Sequence, residues 1–209
     1  MDFQSSLKEL TEHFKEPLQV KLKDVEMQSP TFQELSGYPN YENVLSNIYK
    51  FFVELKHHGL GDLFIQALDD CLEDEVVLME DISVFREFTT KKGGRIDLVI
   101  ANSEEMNEVS QVVIIENKIY HTLENDLEDY WDTFSHLTNR VGIVLSLSLL
   151  DVPKPFYNIT HKQWMTNVKA RLGYHLKTAD SKYLVYLQDF FNYIDGSVSY
   201  THLTLPTKA

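Results

Sequence analysis

The stretch QVVIIENKI, residues 111–119, decides how this chain is read. Val112 to Ile115 are consecutive aliphatic residues, the pattern of a strand covered on both faces at the centre of a sheet. The run ends in Glu116-Asn117-Lys118, so charge is placed at the end of the most apolar segment. Side chains alternate along a strand. Glu116 and Lys118 therefore share one face, while Ile115, Asn117 and Ile119 share the other.

Just upstream, RIDLVIA (95–101) reads as a second strand, with Arg95, Asp97 and Val99 on one face. The polar loop NSEEMNEVS, 102–110, lets the two strands pair as neighbours, which gathers Asp97, Glu116 and Lys118 on one surface. Carboxylates held close repel, and one of them takes up a proton unless a cation intervenes. Mg2+, or Mn2+ in its place, accepts one or two protein carboxylates together with waters and phosphate oxygens. It polarises a scissile phosphate and lowers the pKa of bound water. Lys118 is then placed to orient that water or to stabilise charge in the transition state. The main-chain carbonyl of Asn117 is a further candidate ligand.

Outward from these strands, residues 1–36 read as one or two helices, with Leu7, Leu10 and Phe14 at helical spacing. LSGYPNYEN is a turn, with Asn40 a helix cap. Val44, Ile48, Phe51, Phe52 and Leu55 form the apolar stripe of an amphipathic helix over 41–55. A second helix carries Leu60, Phe64, Ala67, Leu68 and Cys71. VVLMEDISVFREFTT supplies one or two strands and KKGG a turn. Leu127, Tyr130, Phe134 and Leu137 mark a helix after the central strand, VGIVLSLSLL is the last clear strand, and HKQWMTNVKARLG and YLVYLQDFFNYI are closing helices. The expected fold is α/β, a short mixed sheet flanked by helices.

The pair of strands resembles the PD-(D/E)XK nuclease superfamily, whose signature is an acidic residue followed on the next strand by Glu/Asp-x-Lys. Here the match is Asp97, then Glu116-Asn117-Lys118. GGRIDLVI, VVIIENKIYH and the following LENDLEDYW look like a bacterial and phage branch of that superfamily, as do ENVLSNIYKFF and HGLGDLF upstream. The resemblance implies a restriction-endonuclease-like core and a metal-dependent nuclease acting on nucleic acid, DNA ahead of RNA, in restriction, repair or defence. It also implies that Glu42, on the first core helix, completes a metal site with Asp97, Glu116 and Asn117, and that Glu87 adds another acidic position. Leu45 stands where the branch commonly has histidine, and Asp126 where a glutamine usually contacts phosphate or water. Arg95 either contacts phosphate or balances Asp97, and Tyr120 and His121 are candidates for lining the substrate groove.

The net charge of −13 argues against electrostatic coating of nucleic acid and favours a rival reading, a nuclease-fold binding or assembly module without activity. No apolar run is long enough to span a bilayer, and no signal peptide opens the chain. Cys71 is the single cysteine, expected to pack as a small apolar residue, which favours a reducing, cytoplasmic setting. His57 and His58 lack partners at a zinc-like spacing and read as helix-end caps. The expected organisation is one domain over 1–196, with an N-terminal helical part at 1–36, a catalytic core at 40–150 and C-terminal helices at 156–196. The final SVSYTHLTLPTKA, 197–209, shows no helical pattern and resembles translated read-through of a sequencing-library transposon adapter. It is expected to be non-native, with the native helices continuing beyond Gly196. A homo-oligomer is compatible with all of this.

Overall fold

A computed structural model describes residues 30–38, 42–72, 81–119 and 125–203, with 198–203 described by backbone alone. Its helices are α1 (Phe32–Leu35), α2 (Glu42–Val53), α3 (Leu63–Asp69), α4 (Leu127–Thr133), α5 (His161–Arg171) and α6 (Ser181–Leu203). Its strands are β1 (Ser83–Thr89), β2 (Arg95–Ala101), β3 (Gln111–Lys118), β4 (Asn139–Ser146) and β5 (Phe156–Thr160).

The strands lie in the order β1-β2-β3-β4-β5. β1 and β2 are antiparallel, as are β2 and β3; β3–β4 and β4–β5 are parallel. The sheet is therefore mixed and the class is α/β. β3 is central because its alternate residues feed two cores. Val113 and Ile115 join Leu98 and Ile100 beneath α2, α3, α5 and α6. Val112 and Ile114 join Val99 and Ala101 beneath Leu127, Tyr130 and Phe134 of the α4 segment. Full burial of one such aliphatic side chain stabilises the fold by roughly 1.5–3 kcal/mol, which is why the run is aliphatic at every position.

β5 has no clear signature in the sequence. FYNIT is short, has Asn158 at its middle and follows Pro153 and Pro155, which mask the alternation. It reaches its parallel partner without a helix, through the irregular connection 147–155 that returns Phe156 to lie beside Gly142. There the Phe156 ring occupies the space of a side chain: a Cβ on Gly142 would lie 2.8 Å from its Cδ1. A capping box of Thr160 and Gln163 converts the end of β5 directly into α5.

The helix expected to close near Ile194 instead continues to Leu203, through Gly196. The buried Ser197 hydroxyl donates to the Tyr193 carbonyl at 2.8 Å within that continuation. The expectation that 197–209 shows no helical character therefore fails as far as Leu203. Of the helical segment expected over 1–36, only α1 falls within the described residues; Asn40 and most of the segment preceding β1 lie outside them. His58 caps a helix, as expected: its Nε2 lies 2.6 Å from the Glu54 carbonyl at the end of α2, and its Nδ1 accepts the Leu60 amide at 3.0 Å.

Candidate active site

β2 and β3 hold their ladder to the pair Leu98–Ile115. One residue further on, a side chain replaces the ladder: the Asn117 amide donates to Oδ2 of Asp97 at 2.8 Å. Residues opposed in an antiparallel pair project to the same face, so Asp97 stands level with Glu116. Lys118 follows on that face, with its Nζ 2.8 Å from Glu116 Oε1.

The site is dry. Glu116 is 1% exposed and Lys118 9%. Burial, and then the negative charge of Asp97, push the Glu116 carboxyl up to about 7, against the opposing pull of Lys118. Burial also raises Asp97, opposed by the Asn117 amide and by Lys118 and assisted by the charges of Glu42 and Glu87. Burial alone would lower Lys118, but the hydrogen bond to Glu116 and the surrounding carboxylates outweigh it, so the ammonium keeps its proton. Glu116 Oε2 is buried with no hydrogen-bond partner.

Glu42, the first residue of α2, joins the group at its edge. Its Oε2 lies 3.8 Å from Lys118 Nζ, and its Oε1 accepts the Ile119 amide at 3.0 Å. Asn117 faces away from the carboxylates, as alternation requires, and its side-chain amide donates to the Glu42 carbonyl and to Ser46 Oγ, each at 3.1 Å. The start of α2 is thus fastened to the end of β3.

Glu87 lies on β1 beside Asp97 with a left-handed backbone, φ +49°, which is rare for a residue with a side chain. Its Oε2 receives Arg95 Nη1 at 2.9 Å, an exposed pair at the rim. Arg95 therefore balances Glu87. Asp126 caps α4, accepting the Asp129 amide at 3.0 Å, and its other oxygen lies 3.4 Å from Lys92 Nζ. Tyr120 and His121 lie outside the described residues.

Tyr130 is a site residue that its helical spacing presented only as core. Its hydroxyl donates to the Arg95 carbonyl at 2.6 Å, accepts from Asn125 at 2.9 Å, and also acts on the Glu116 carboxylate. The available signal was chemical: a buried tyrosine needs a partner for its hydroxyl, and the nearest polar groups belong to the motif strands.

Among the described residues no group of three or more His, Cys, Asp or Glu side chains converges as a metal cage. A hard cation such as Mg2+ does not require one, because waters and substrate complete its shell. Two repelling carboxyls, one with an orphaned buried oxygen, fit such an ion. Asp97 and Glu116 are the residues that would hold it, with Glu42 at the edge of the group.

No curated protein matches the chain. A solved structure described as MspJI restriction endonuclease in complex with a 27-mer oligonucleotide is similar over 84% of this chain and 38% of its own, at 11% identity and a TM-score of 0.26. This chain thus spans about two fifths of that one, and the likeness is too slight to carry an argument. Among the described residues no helix is long and apolar enough to cross a membrane. The family model described as the PD-(D/E)XK nuclease superfamily matches residues 32–183, a span containing every described strand. With Asp97 and Glu116-Asn117-Lys118 brought side by side on two of those strands, the chain belongs to the PD-(D/E)XK nuclease superfamily.

Proposed function

We propose that this chain is a Mg2+-dependent nuclease that hydrolyses phosphodiester bonds, DNA ahead of RNA, with Mn2+ as a working substitute. The observation that carries the proposal is the buried, unpartnered Oε2 of Glu116 beside Asp97. A proton or a cation must relieve that pair, and a phosphodiester brings its own oxygens to a cation. When bound, the cation supplies charge neutralisation at the phosphate and a more acidic water.

The protein's own groups do the rest. Asp97 and Glu116 would hold the ion, with Asp97 fixed by the Asn117 amide. Lys118 keeps its ammonium within hydrogen-bonding reach of Glu116, where it orients the attacking water and meets the charge that gathers on the phosphate oxygens. Water adds to phosphorus and gives up a proton to solvent, the bond to the leaving oxygen breaks, and that oxygen takes a proton back from solvent. Glu42 sets the position of Lys118 and of the Ile119 amide. Arg95 and Lys92, at the exposed rim, exchange their present carboxylate partners for substrate phosphate at small cost, because exposed pairs are weak. A role in restriction, repair or defence against mobile DNA accords with the family.

A second reading has one observation in its favour. The charge of −13 disfavours contact with any polyanion and suits a nuclease-fold binding or assembly module. Incubating the purified protein with supercoiled plasmid and with RNA, in Mg2+, Mn2+ or EDTA, separates the two readings. Cleavage that requires the cation and is lost in Lys118→Ala supports the nuclease; intact substrates under every condition support the module.

A further inference from the structure

The end of β3 is gripped from two sides. α2 holds it through Asn117 and Ile119. The other grip comes from α5. Lys118 pairs with Ser146, and Ser146 pairs with Thr160, so the next residue, His161, opens α5 beneath the end of β3. His161 is wholly buried. Its Nδ1 lies 2.7 Å from the Tyr49 hydroxyl, and its ring stacks on Tyr49 with centroids 5.7 Å apart. Tyr49 is in turn stacked on Trp164 at 4.7 Å.

Burial fixes the protons of this pair. It raises the Tyr49 hydroxyl well above its usual range, so Tyr49 keeps its hydrogen and donates it. It lowers His161 to about 4, so the imidazole is neutral and Nδ1 accepts. The single ring hydrogen must then sit on Nε2. The Tyr49 hydroxyl occupies Nδ1, so Nε2 is left for the main-chain carbonyl of Lys118 beside the ring, yet it closes no hydrogen bond of ordinary geometry to any described atom. A buried donor left in that state is costly, and a small shift of the strand end completes the bond.

We infer that His161 is a positioning residue for Lys118: the Tyr49 hydroxyl selects its Nε2–H tautomer, and Nε2–H donates to the Lys118 main-chain carbonyl, setting where the strand end projects the ammonium. The kinetic consequence rests on the nuclease reading; the contact itself does not. Displacing a catalytic group by about 1 Å costs on the order of a hundredfold in rate. Losing a contact that only trims its position should cost about tenfold.

The test uses the full chain with three substitutions. His161→Gln places an amide donor near the position of Nε2, His161→Leu keeps bulk without a donor, and Tyr49→Phe removes the hydrogen offered to Nδ1. Long-range proton–nitrogen NMR correlations read the tautomer without reference to activity. The Nε2–H form is expected in the unsubstituted chain, and a mixture of tautomers in Tyr49→Phe. In single-turnover plasmid cleavage with Mg2+, His161→Leu should lower the rate about tenfold with KM nearly unchanged, and His161→Gln should recover most of it. Should His161→Leu fail to fold, Tyr49→Phe carries the kinetic test, with a severalfold loss expected. An Nδ1–H or charged imidazole in the unsubstituted chain would overturn the proposal, as would an unimpaired rate in the donor-less variant. An Nε2–H tautomer in a protein that cuts no substrate supports the contact and removes the nuclease reading instead.

Discussion

The Asn117 amide donates to Oδ2 of Asp97 at 2.8 Å, in the position where the ladder between β2 and β3 would have placed its next bond. A carboxylate on one strand thus closes the end of the next, and the same contact holds Asp97 level with Glu116. The geometry of the site follows from the pairing of two strands, and its electrostatics follow from how deeply that pairing buries the two acids.

The first consequence is a stability profile that depends on pH and on cation. The Glu116 carboxyl is raised from 4.5 to about 7 in the folded chain. A raised folded pKa means that the folded state keeps a proton which the unfolded state has lost. The stabilisation is complete below about pH 4.5 and disappears as pH climbs through about 7, and Asp97 shifts in the same direction. In EDTA, urea unfolding should show a loss of up to ~3 kcal/mol between about pH 5 and pH 8. Glu116→Gln should flatten that loss. Mg2+ should raise the unfolding midpoint above pH 7 and have little effect near pH 5, where it competes with the proton. A flat profile in the unsubstituted chain would contradict this account of Glu116.

Lys118 is predicted to act on rate rather than on substrate affinity. In Lys118→Met the stem is kept and the ammonium lost, so cleavage under single turnover should fall on the order of 10²–10³-fold. Binding of a labelled duplex, followed by fluorescence anisotropy, should change by no more than about threefold, because the ammonium acts on charge that develops only in the transition state. Removing one partner of a buried pair costs about 3 kcal/mol at pH 8, and less near pH 6, where Glu116 takes up a proton instead. Equal losses in affinity and rate would place Lys118 among the binding groups.

Tyr130→Phe deletes one oxygen and strands two partners, the Arg95 carbonyl and the Asn125 amide. Leaving buried polar groups unmatched costs about 1–3 kcal/mol, so urea unfolding should register a drop of that size. Cleavage should fall severalfold, because the hydroxyl anchors the start of β2 two residues before Asp97. Unchanged stability would show that Tyr130 is ordinary core.

The parts of the site legible in the sequence are those set by the two-residue period of a strand. Asp97, Glu116 and Lys118 share a face because their spacing says so once β2 and β3 pair. β3 was legible as central because it is aliphatic at every position. β5 was not, because its alternation is interrupted by Asn158 and its flanks carry proline. The second layer was hidden for a different reason. Tyr130 meets Arg95 across 35 residues of sequence, and Tyr49 meets His161 across 112. Local pattern reports which residues are buried, but not which polar atoms meet once they are. The positions inferred by family resemblance also acquired local roles from their neighbours: Asp126 caps a helix, and Glu87 pairs with Arg95.

The central claim is that Asp97 and Glu116 grip one divalent cation, and titration with Mn2+, following the free ion by electron paramagnetic resonance, tests it most directly. The unsubstituted chain should bind the ion near neutral pH, Asp97→Asn and Glu116→Gln should each weaken binding by at least about tenfold, and Lys118→Met should bind no more weakly than the parent. Mn2+ affinity that is the same in all four proteins would contradict the shared grip, and with it the hydrolytic role built on it.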